Sequence, residues 1–178
     1  IEKKFKKKFN VGVCHPGSTN LDTGLIQNAF NSPWLNNMKF SDEISKNLNR
    51  KVLCENDANC FALSESFDGS AKHYKVVFGI ILGSGCGGGL VIDKKILVGP
   101  NCFAGEWGHV PIGSRDSSKN IEEYISGKGL ERLYFKKYSE QLTTKDIFSK
   151  SRQNSSREKK FIKEFLENLG LSLSILIN

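Results

Sequence analysis

The clearest pattern along the chain is a nearly unbroken apolar run at residues 75–82. Such a run is typical of a strand that is buried on both faces of a sheet. A segment that is mostly glycine follows at 83–89, and the next two apolar segments, 90–92 and 96–99, are separated by an Asp-Lys-Lys turn. The stretch 75–99 therefore predicts a β-meander with one glycine-rich turn.

Helical spacing of apolar residues occurs on both sides of the meander. Residues 57–67 and 156–177 show it most clearly, and 41–48 is a shorter candidate that Ser41 would cap. The other predicted elements are helices at 121–138 and 144–151 and strands at 9–14 and 51–54. The polar segment 68–74 is the best candidate for a domain junction.

Length and composition limit the class of protein. The chain has 178 residues, 38% of them hydrophobic and 25% charged, which excludes a disordered or fibrous protein. No segment approaches the roughly 18 apolar residues of a membrane-spanning helix, so we expect no membrane partner. The Lys-rich residues 1–8 lack the apolar core of a signal peptide. Because Met38 is the one Met, we expect a piece of a longer protein.

The net charge of +7 comes from two flanking segments. Residues 1–10 contribute +4 and residues 150–163 contribute +5, so the rest of the chain has a net charge of −2. Lys-rich runs are usually solvated surfaces, and we expect no nucleic-acid partner. The five cysteines have no C-x-x-C spacing, and they predict buried free thiols in a reducing, cytoplasmic compartment.

The glycine-rich turn is the first segment that suggests chemistry. Backbone N–H groups of glycines can approach an anion closely, and the hydroxyl of Ser84 would add a donor. The turn is not a P-loop, because no G-K-[ST] follows, and it is not a Rossmann turn, because no helix opens after it. A phosphate-binding turn and an ordinary glycine-rich hairpin both remain open.

Two polar clusters are further candidates. Residues 55–59, Glu-Asn-Asp-Ala-Asn, lie between a predicted strand and a predicted helix, at the edge where open α/β sheets bind ligands. Asp57 is there either a general base for an attacking hydroxyl or a helix cap. Residues 105–109, Gly-Glu-Trp-Gly-His, suit a sugar site, although His109 taken alone is more typical of a structural histidine.

These motifs, together and in this order, resemble the ROK family, whose name stands for repressors, open reading frames and sugar kinases. Segments 82–89 and 105–109 resemble its signature, 55–59 resembles its catalytic segment, and 15–18 and 31–36 resemble its sugar-binding loops. The resemblance covers roughly residues 10–135.

The resemblance implies an α/β protein with the actin-like ATPase (ribonuclease H-like) fold of a two-domain sugar kinase. Residues 1–73 would be the C-terminal part of the smaller N-terminal domain, with the sugar loops and the catalytic Asp. Residues 74–178 would belong to the larger domain, with the phosphate turn, and would be incomplete at the C-terminus.

The resemblance also implies a role for individual residues. Asp57 is the expected general base, which takes the proton from the 6-hydroxyl of a hexose. The expected sugar ligands are Asn31, Asn56, Glu106, His109 and Glu122. The expected ATP-phosphate turn is Gly83, Ser84 and Gly85. The implied partners are a hexose and ATP with Mg²⁺, and the family's usual dimers make a homodimer a possible assembly.

The sequence departs from the family at three places. Many members hold zinc with the His of the G-H motif and three Cys, but no Cys follows Cys102 here, and residues 113–120 replace the cluster, so we expect no metal site. The N-terminal D-x-G-G-T motif and the C-terminal glycine-rich adenosine segment are also absent. We therefore expect a fold truncated at both ends, an excerpt or a degraded gene product, that does not phosphorylate sugars at a useful rate.

The resemblance leaves the substrate open. The motifs look most like those of fructokinases and mannokinases, which we place first, and the alternative is an N-acetylglucosamine kinase. Two hypotheses assign another class of function: a sugar-sensing ROK transcriptional regulator and an inactive remnant. The presence of Asp57 favours a kinase over a regulator.

Overall fold

The structure is a computed structural model, and it describes residues 2–112, 120–153 and 155–177. The chain divides into two compact units. Unit 1 comprises Ile1–Gly79 and Gly89–Gly105, and unit 2 comprises Ile80–Gly88 and Glu106–Asn178. The domain boundary expected between residues 73 and 74 concerns the domains of a longer protein and stays a prediction.

Unit 1 contains most of the strands. Its elements are α1 (Glu2–Phe5), β1 (Val11–His15), β2 (Ser18–Thr19), β3 (Ile26–Gln27), a 3₁₀ turn (Pro33–Leu35), α2 (Phe40–Leu48), β4 (Val52–Asn56), α3 (Asp57–Phe67) and β7 (Lys95–Ile96). Strands β5 (Val76–Leu82) and β6 (Cys86–Ile92) each have one end in unit 1 and the other in unit 2. The predicted elements at 9–14, 41–48, 51–54, 57–67 and 75–82 are confirmed to within a few residues.

A parallel pair of strands positions the polar cluster of unit 1. Strands β1 and β4 pair in register from Val11 opposite Val52 to His15 opposite Asn56. Strand β4 continues directly into α3, so both strands end at the same edge. The predicted cap on α2 is wrong, because the helix begins one residue earlier and the Ser41 hydroxyl instead donates to the Val52 carbonyl at 2.9 Å.

Besides the two-stranded β2-β3 sheet there is a three-stranded sheet with the order β5-β6-β7, and its glycines allow close packing against α3. A Cβ added to Gly89 would lie 2.6 Å from the Ala58 carbonyl oxygen, and one added to Gly79 would lie 2.7 Å from the Ala62 Cβ. The predicted turn over 83–89 is therefore too long, since residues 86–89 belong to β6 and are glycine-rich partly to admit this helix.

The prediction that β5 is buried on both faces is also wrong for the described residues. Val77 packs in a cluster with Ala62 and Val91, whereas Val76 is 62% exposed and Leu82 is 45% exposed. Helix α3 covers the Val77 side of the strand near Ala62, whereas Ile81 and Leu82 at the end of the strand are both exposed. The last strand, β7, is two residues long instead of the expected four.

Unit 2 is mainly helical. It contains a 3₁₀ turn (Trp107–His109), α4 (Ile121–Ile125), α5 (Gly127–Tyr138), α6 (Thr144–Arg152) and α7 (Ser156–Ile177). The single helix predicted at 121–138 is two helices, because the Ser126 side chain caps α5 by accepting from the Gly129 N–H at 3.0 Å. Leu130, Tyr134, Ile147 and Phe161 form its buried helical core.

A carboxylate is buried beside this core. Glu158, in the first turn of α7, is 1% exposed and accepts hydrogen bonds from the hydroxyls of Tyr134 and Ser155. Arg157 donates to Glu158 Oε1 from Nη2 at 3.0 Å and from Nε at 3.1 Å, and it also pairs with Glu140. The Ser155, Tyr134 and Arg157 donors lower the pKa of Glu158 to about 2, although burial opposes them.

Replacing Glu158 with Gln is expected to lower the free energy of unfolding at pH 7 by about 2 kcal/mol, because hydrogen bonds to a buried charge are lost. The native pKa lies below the ordinary value of 4.5, so the carboxylate stabilises the fold above pH 4.5 and loses this effect as the pH falls towards 2. Urea unfolding at pH 7, 4 and 3 measures this. The difference between the variant and the unsubstituted chain should shrink as the pH falls.

Glu164→Gln on the same helix is the matched control. Its carboxylate lies 2.5 Å from the Lys137 ammonium, with both side chains well exposed to solvent. Exposed ion pairs contribute about 1 kcal/mol or less. Equal destabilisation by the two substitutions would contradict a special role for the buried carboxylate.

The cysteines differ in burial. Cys86 and Cys102 are buried, but Cys14 is exposed and Cys54 and Cys60 are partly buried, so the prediction of buried thiols holds for two of the five. Among residues 2–112, 120–153 and 155–177, no helix has both the length and the apolar character needed to cross a membrane.

Candidate active site

The polar cluster of unit 1 lies where the two parallel strands end. Asn56 is the last residue of β4, Asp57 is the first of α3, and His15 is opposite Asn56 at the end of β1. The sequence predicts this edge as a place for ligands, and the register brings the three residues there together.

Asn56 is the capping residue of α3. Its side-chain oxygen accepts from the N–H groups of Ala58 at 2.9 Å and Asn59 at 3.1 Å, and its amide donates to the Gly17 carbonyl at 2.9 Å. Asn56 is 9% exposed, so much of its hydrogen-bonding capacity holds the cluster together. Its expected role as a sugar ligand stays a proposal. The group left for that role is the second N–H of its side-chain amide.

Asp57 is exposed at the first position of α3. One carboxylate oxygen, Oδ1, accepts from the Ala58 N–H at 2.9 Å, and the described residues make no other hydrogen bond to this carboxylate. Because Asn56 already caps the helix, a capping role for Asp57 is redundant. The second oxygen, Oδ2, has no hydrogen-bond partner among the described residues.

His15 begins the 15–18 segment, and the sequence assigns no individual role to it. It is 2% exposed, with Nδ1 3.0 Å from the Pro16 carbonyl oxygen and Nε2 3.1 Å from the Thr19 hydroxyl. Its ring packs edge-on against Phe40. The signal in the sequence was a histidine at the end of a strand, directly before Pro-Gly, and its contacts indicate that it fixes the loop after β1.

The loop that carries Asn31 is held against the same loop. Gly17 has a φ of +78°, and a Cβ there would lie 2.8 Å from the Ala29 nitrogen, so only glycine allows this approach. The Asn36 side chain accepts from the Ala29 N–H at 2.9 Å and closes the loop. Asn31 itself is exposed, two residues beyond Ala29, and no described contact places its side chain beside Asp57.

Two buried polar atoms near this edge have no partner within the described ranges. They are the Ser18 hydroxyl oxygen and the Asn59 carbonyl oxygen Oδ1, in residues that are 7% and 6% exposed. Buried polar atoms are normally hydrogen-bonded. Both lie in segments that the resemblance assigns to the sugar loop and the catalytic segment.

In unit 2, the phosphate turn is bound to the start of α5. The Gly83 carbonyl accepts from the Gly127 N–H at 2.8 Å, and the Ser84 carbonyl accepts from the Lys128 N–H at 3.3 Å. The Gly83 N–H donates to the Gly85 carbonyl at 3.0 Å. No described residue accepts from the N–H of Ser84 or Gly85, so two amides of the turn are available to an anion.

Glu122 contacts the phosphate turn directly. Its Oε2 accepts from the Cys86 N–H at 2.8 Å, and a Cβ added to Gly85 would lie 2.7 Å from the same oxygen. The sequence predicts Glu122 as a sugar ligand and the turn as a separate phosphate site. The structure brings them into contact, which the separation of 36 residues in sequence does not reveal.

The 105–109 motif packs on the strand that follows the turn. Trp107 is 4% exposed and its Nε1 donates to the Gly87 carbonyl at 3.1 Å, while a Cβ on Gly108 would lie 2.4 Å from the Cys86 carbonyl oxygen. These contacts leave Glu106 and His109 partly exposed, with 3.5 Å between Glu106 Oε2 and His109 Nδ1. The two predicted sugar ligands are therefore neighbours.

The donor set near His109 does not fit the family's zinc site. No cysteine follows Cys102 in the sequence, and no group of three His, Cys, Asp or Glu within the described ranges could hold a metal ion. Residues 113–119 of the segment that replaces the cysteine cluster lie outside the described residues.

Elemental analysis of the purified protein is expected to find far less than one zinc per chain, because one histidine without thiolates is a poor zinc site. Inductively coupled plasma mass spectrometry after gel filtration measures this. One zinc per chain that resists mild chelation would contradict the prediction.

Known proteins share this sequence and fold. An N-acetyl-D-glucosamine kinase from Histophilus somni (strain 129Pt) is 33% identical over 193 residues, which cover 99% of this chain and 63% of that protein. The ROK hexokinase from Thermus thermophilus superposes with a TM-score of 0.84 at 22% identity, over 99% of this chain and 61% of that one. A ROK glucokinase from Streptomyces griseus in complex with glucose and AMPPNP gives 0.76 at 24% identity, over 96% and 62%.

The chain thus spans about three fifths of the length of these proteins. The superpositions confirm the predicted actin-like ATPase fold. The model of the ROK family matches residues 1–178, the whole chain. The protein belongs to the ROK family.

Proposed function

We propose that the protein is a sugar kinase that transfers a phosphoryl group from ATP, bound with Mg²⁺, to the 6-hydroxyl of an N-acetylated amino sugar. The observation that carries this proposal is the Asp57 carboxylate, exposed at the junction of β4 and α3 with one oxygen unused. A carboxylate in that position can take the hydroxyl proton as the sugar oxygen attacks phosphorus.

The other residues of the site would position and bind the substrates. Phosphoryl transfer depends on alignment and charge neutralisation more than on covalent help from the protein. The free N–H groups of Ser84 and Gly85 would bind ATP phosphate oxygens, and Mg²⁺ would neutralise part of their charge. Asn31, Asn56, Glu106, His109 and Glu122 would bind sugar hydroxyls.

The choice of sugar differs from our first expectation. The motifs favour fructose or mannose. However, two relatives that are 33% identical to this chain over the aligned residues are named N-acetyl-D-glucosamine kinases. Their names support the alternative better than the first choice. Domains divided near residue 73 and a homodimeric assembly are parts of the same proposal.

A coupled ATP-consumption assay tests the substrate. N-acetylglucosamine is expected to give a kcat/KM at least about tenfold above those of fructose, mannose and glucose, because a pocket that pairs with a substrate's polar group discriminates strongly against sugars without it. Preference for fructose or mannose would overturn the choice of sugar alone. Sugar binding without phosphorylation by any form of the protein would favour a regulator or an inactive remnant.

A further inference from the structure

Two cysteines lie together beside the Asp57 carboxylate. Cys14 is opposite Glu55 in the β1–β4 register, and paired residues of a parallel sheet point to the same face. Cys60 lies one turn after Asp57 on α3, and its sulfur is 4.0 Å from the Glu55 carbonyl oxygen. Both thiols are thus placed against the same residue of β4.

The environments of the two thiols differ. Cys14 is exposed on β1, whereas Cys60 is partly buried on α3. Burial, then the neighbouring Cys14 and the charges of Glu55 and Asp57, raise the pKa of Cys60 to about 12. Cys14 is therefore the thiol that an oxidant in solvent meets, and Cys60 is the protonated neighbour.

The other cysteines are less well placed. Cys54 is opposite Val13, one position earlier in the register than the Cys14–Glu55 pair, so it points to the other face of the strand pair. Cys86 and Cys102 are buried. The pair placed against Glu55 thus consists of the exposed thiol of Cys14 and the partly buried thiol of Cys60 on the adjoining helix.

We propose that Cys14 and Cys60 are a modification site, at which a hydroperoxide forms a disulfide bond that ties α3 to β1. The Cys14 thiolate attacks the peroxide, the O–O bond breaks, and the sulfenic acid of Cys14 forms while the departing alkoxide or hydroxide takes a proton from solvent and leaves as an alcohol or water. Cys60 sulfur then bonds to Cys14 sulfur, and the departing hydroxide takes the Cys60 thiol proton and leaves as water. Both thiols are oxidised and the peroxide is reduced.

Disulfide formation would change the position of Asp57. An S–S bond is about 2.0 Å long, so its closure would draw the Cys60 end of the first turn of α3 and the Cys14 end of β1 together. That turn carries Asp57 at its start. If the proposed function is correct, oxidation therefore lowers sugar phosphorylation, and reduction restores it.

The test begins with a readout that is independent of kinase activity. The purified protein is treated with hydrogen peroxide, alkylated without reduction, digested with trypsin and analysed by mass spectrometry. Cys54 and Cys60 fall between Lys51 and Lys72 in one tryptic peptide, so Cys54→Ser makes the assignment unambiguous. The Cys14–Cys60 link is expected in the unsubstituted protein and in Cys54→Ser, and not in Cys14→Ser or Cys60→Ser.

Several outcomes would overturn the proposal. They are a Cys14–Cys54 link, a link between two chains through Cys14, or oxidation of Cys14 to sulfinic acid with no link. A second measurement follows phosphorylation by whichever form of the protein is active, where the link should reduce kcat about 10-fold or more until dithiothreitol is added. A link with unchanged kcat would overturn the effect on Asp57, and a link in a protein without activity would leave the site standing and count against the proposed function.

Discussion

Asp57→Asn is expected to reduce kcat for sugar phosphorylation by about 10²–10⁴-fold, because the amide cannot accept the proton of the attacking hydroxyl. The KM values for sugar and ATP should change little, since Asn has nearly the same shape. Steady-state kinetics, on the 178-residue chain or on a longer form that contains it, measure the effect in whichever form the unsubstituted sequence is active.

The structure supplies a control for this variant. Helix α3 should remain folded, because Asn56 caps it and an Asn at position 57 can still accept from the Ala58 N–H. Asp68→Asn makes the same chemical change at the exposed C-terminal end of α3 and should leave kcat unaltered. Near-normal turnover by Asp57→Asn would refute the assignment of Asp57 as the base. A loss of helical signal in circular dichroism would attribute a low rate to unfolding of α3 and not to the missing base.

The edge that carries Asp57 was predictable from the sequence. A short apolar segment followed at once by Glu-Asn-Asp and by helical spacing places the polar residues between a strand and a helix. The choice between a base and a cap was not predictable, because Asn and Asp are both good caps. It depends on which side chain turns back to the Ala58 and Asn59 amides, and in the structure that is mainly Asn56.

Contacts between distant segments account for most of what the sequence did not predict. Ser41 has the residue type of a cap, yet its hydroxyl reaches the Val52 carbonyl on a neighbouring strand. Gly89 belongs to a strand, although glycine is a poor strand former, because α3 packs on its backbone. In both cases tertiary contacts override the local preference of the residue.

The contact between Glu122 and the phosphate turn also joins segments that are distant in the sequence, and it bears on the proposed function. The turn carbonyls of Gly83 and Ser84 are bound by α5, while the Glu122 carboxylate holds the Cys86 N–H at the end of the turn. A sugar that forms hydrogen bonds with Glu122 would therefore bind to a side chain that also holds the phosphate turn in place. The proposed sugar ligand and the proposed phosphate turn would then be energetically coupled.

Gly85→Ala is expected to reduce kcat/KM for both sugar and ATP by about 10–100-fold, because displacing a binding group by about 1 Å can have an effect of this size. The added Cβ would lie 2.7 Å from Glu122 Oε2, so the carboxylate must shift, which would disturb its hydrogen bond with the Cys86 N–H. Gly170→Ala on α7 is the control, since its Cβ meets nothing within 4 Å and Gly170 has no proposed role in the site, and it should remain within about twofold of the unsubstituted protein. In a Glu122→Ala background the Gly85→Ala substitution should have little further effect, because the group it displaces is gone. Additive losses in the double variant would show that the methyl group acts on the turn without Glu122, and would refute the coupling.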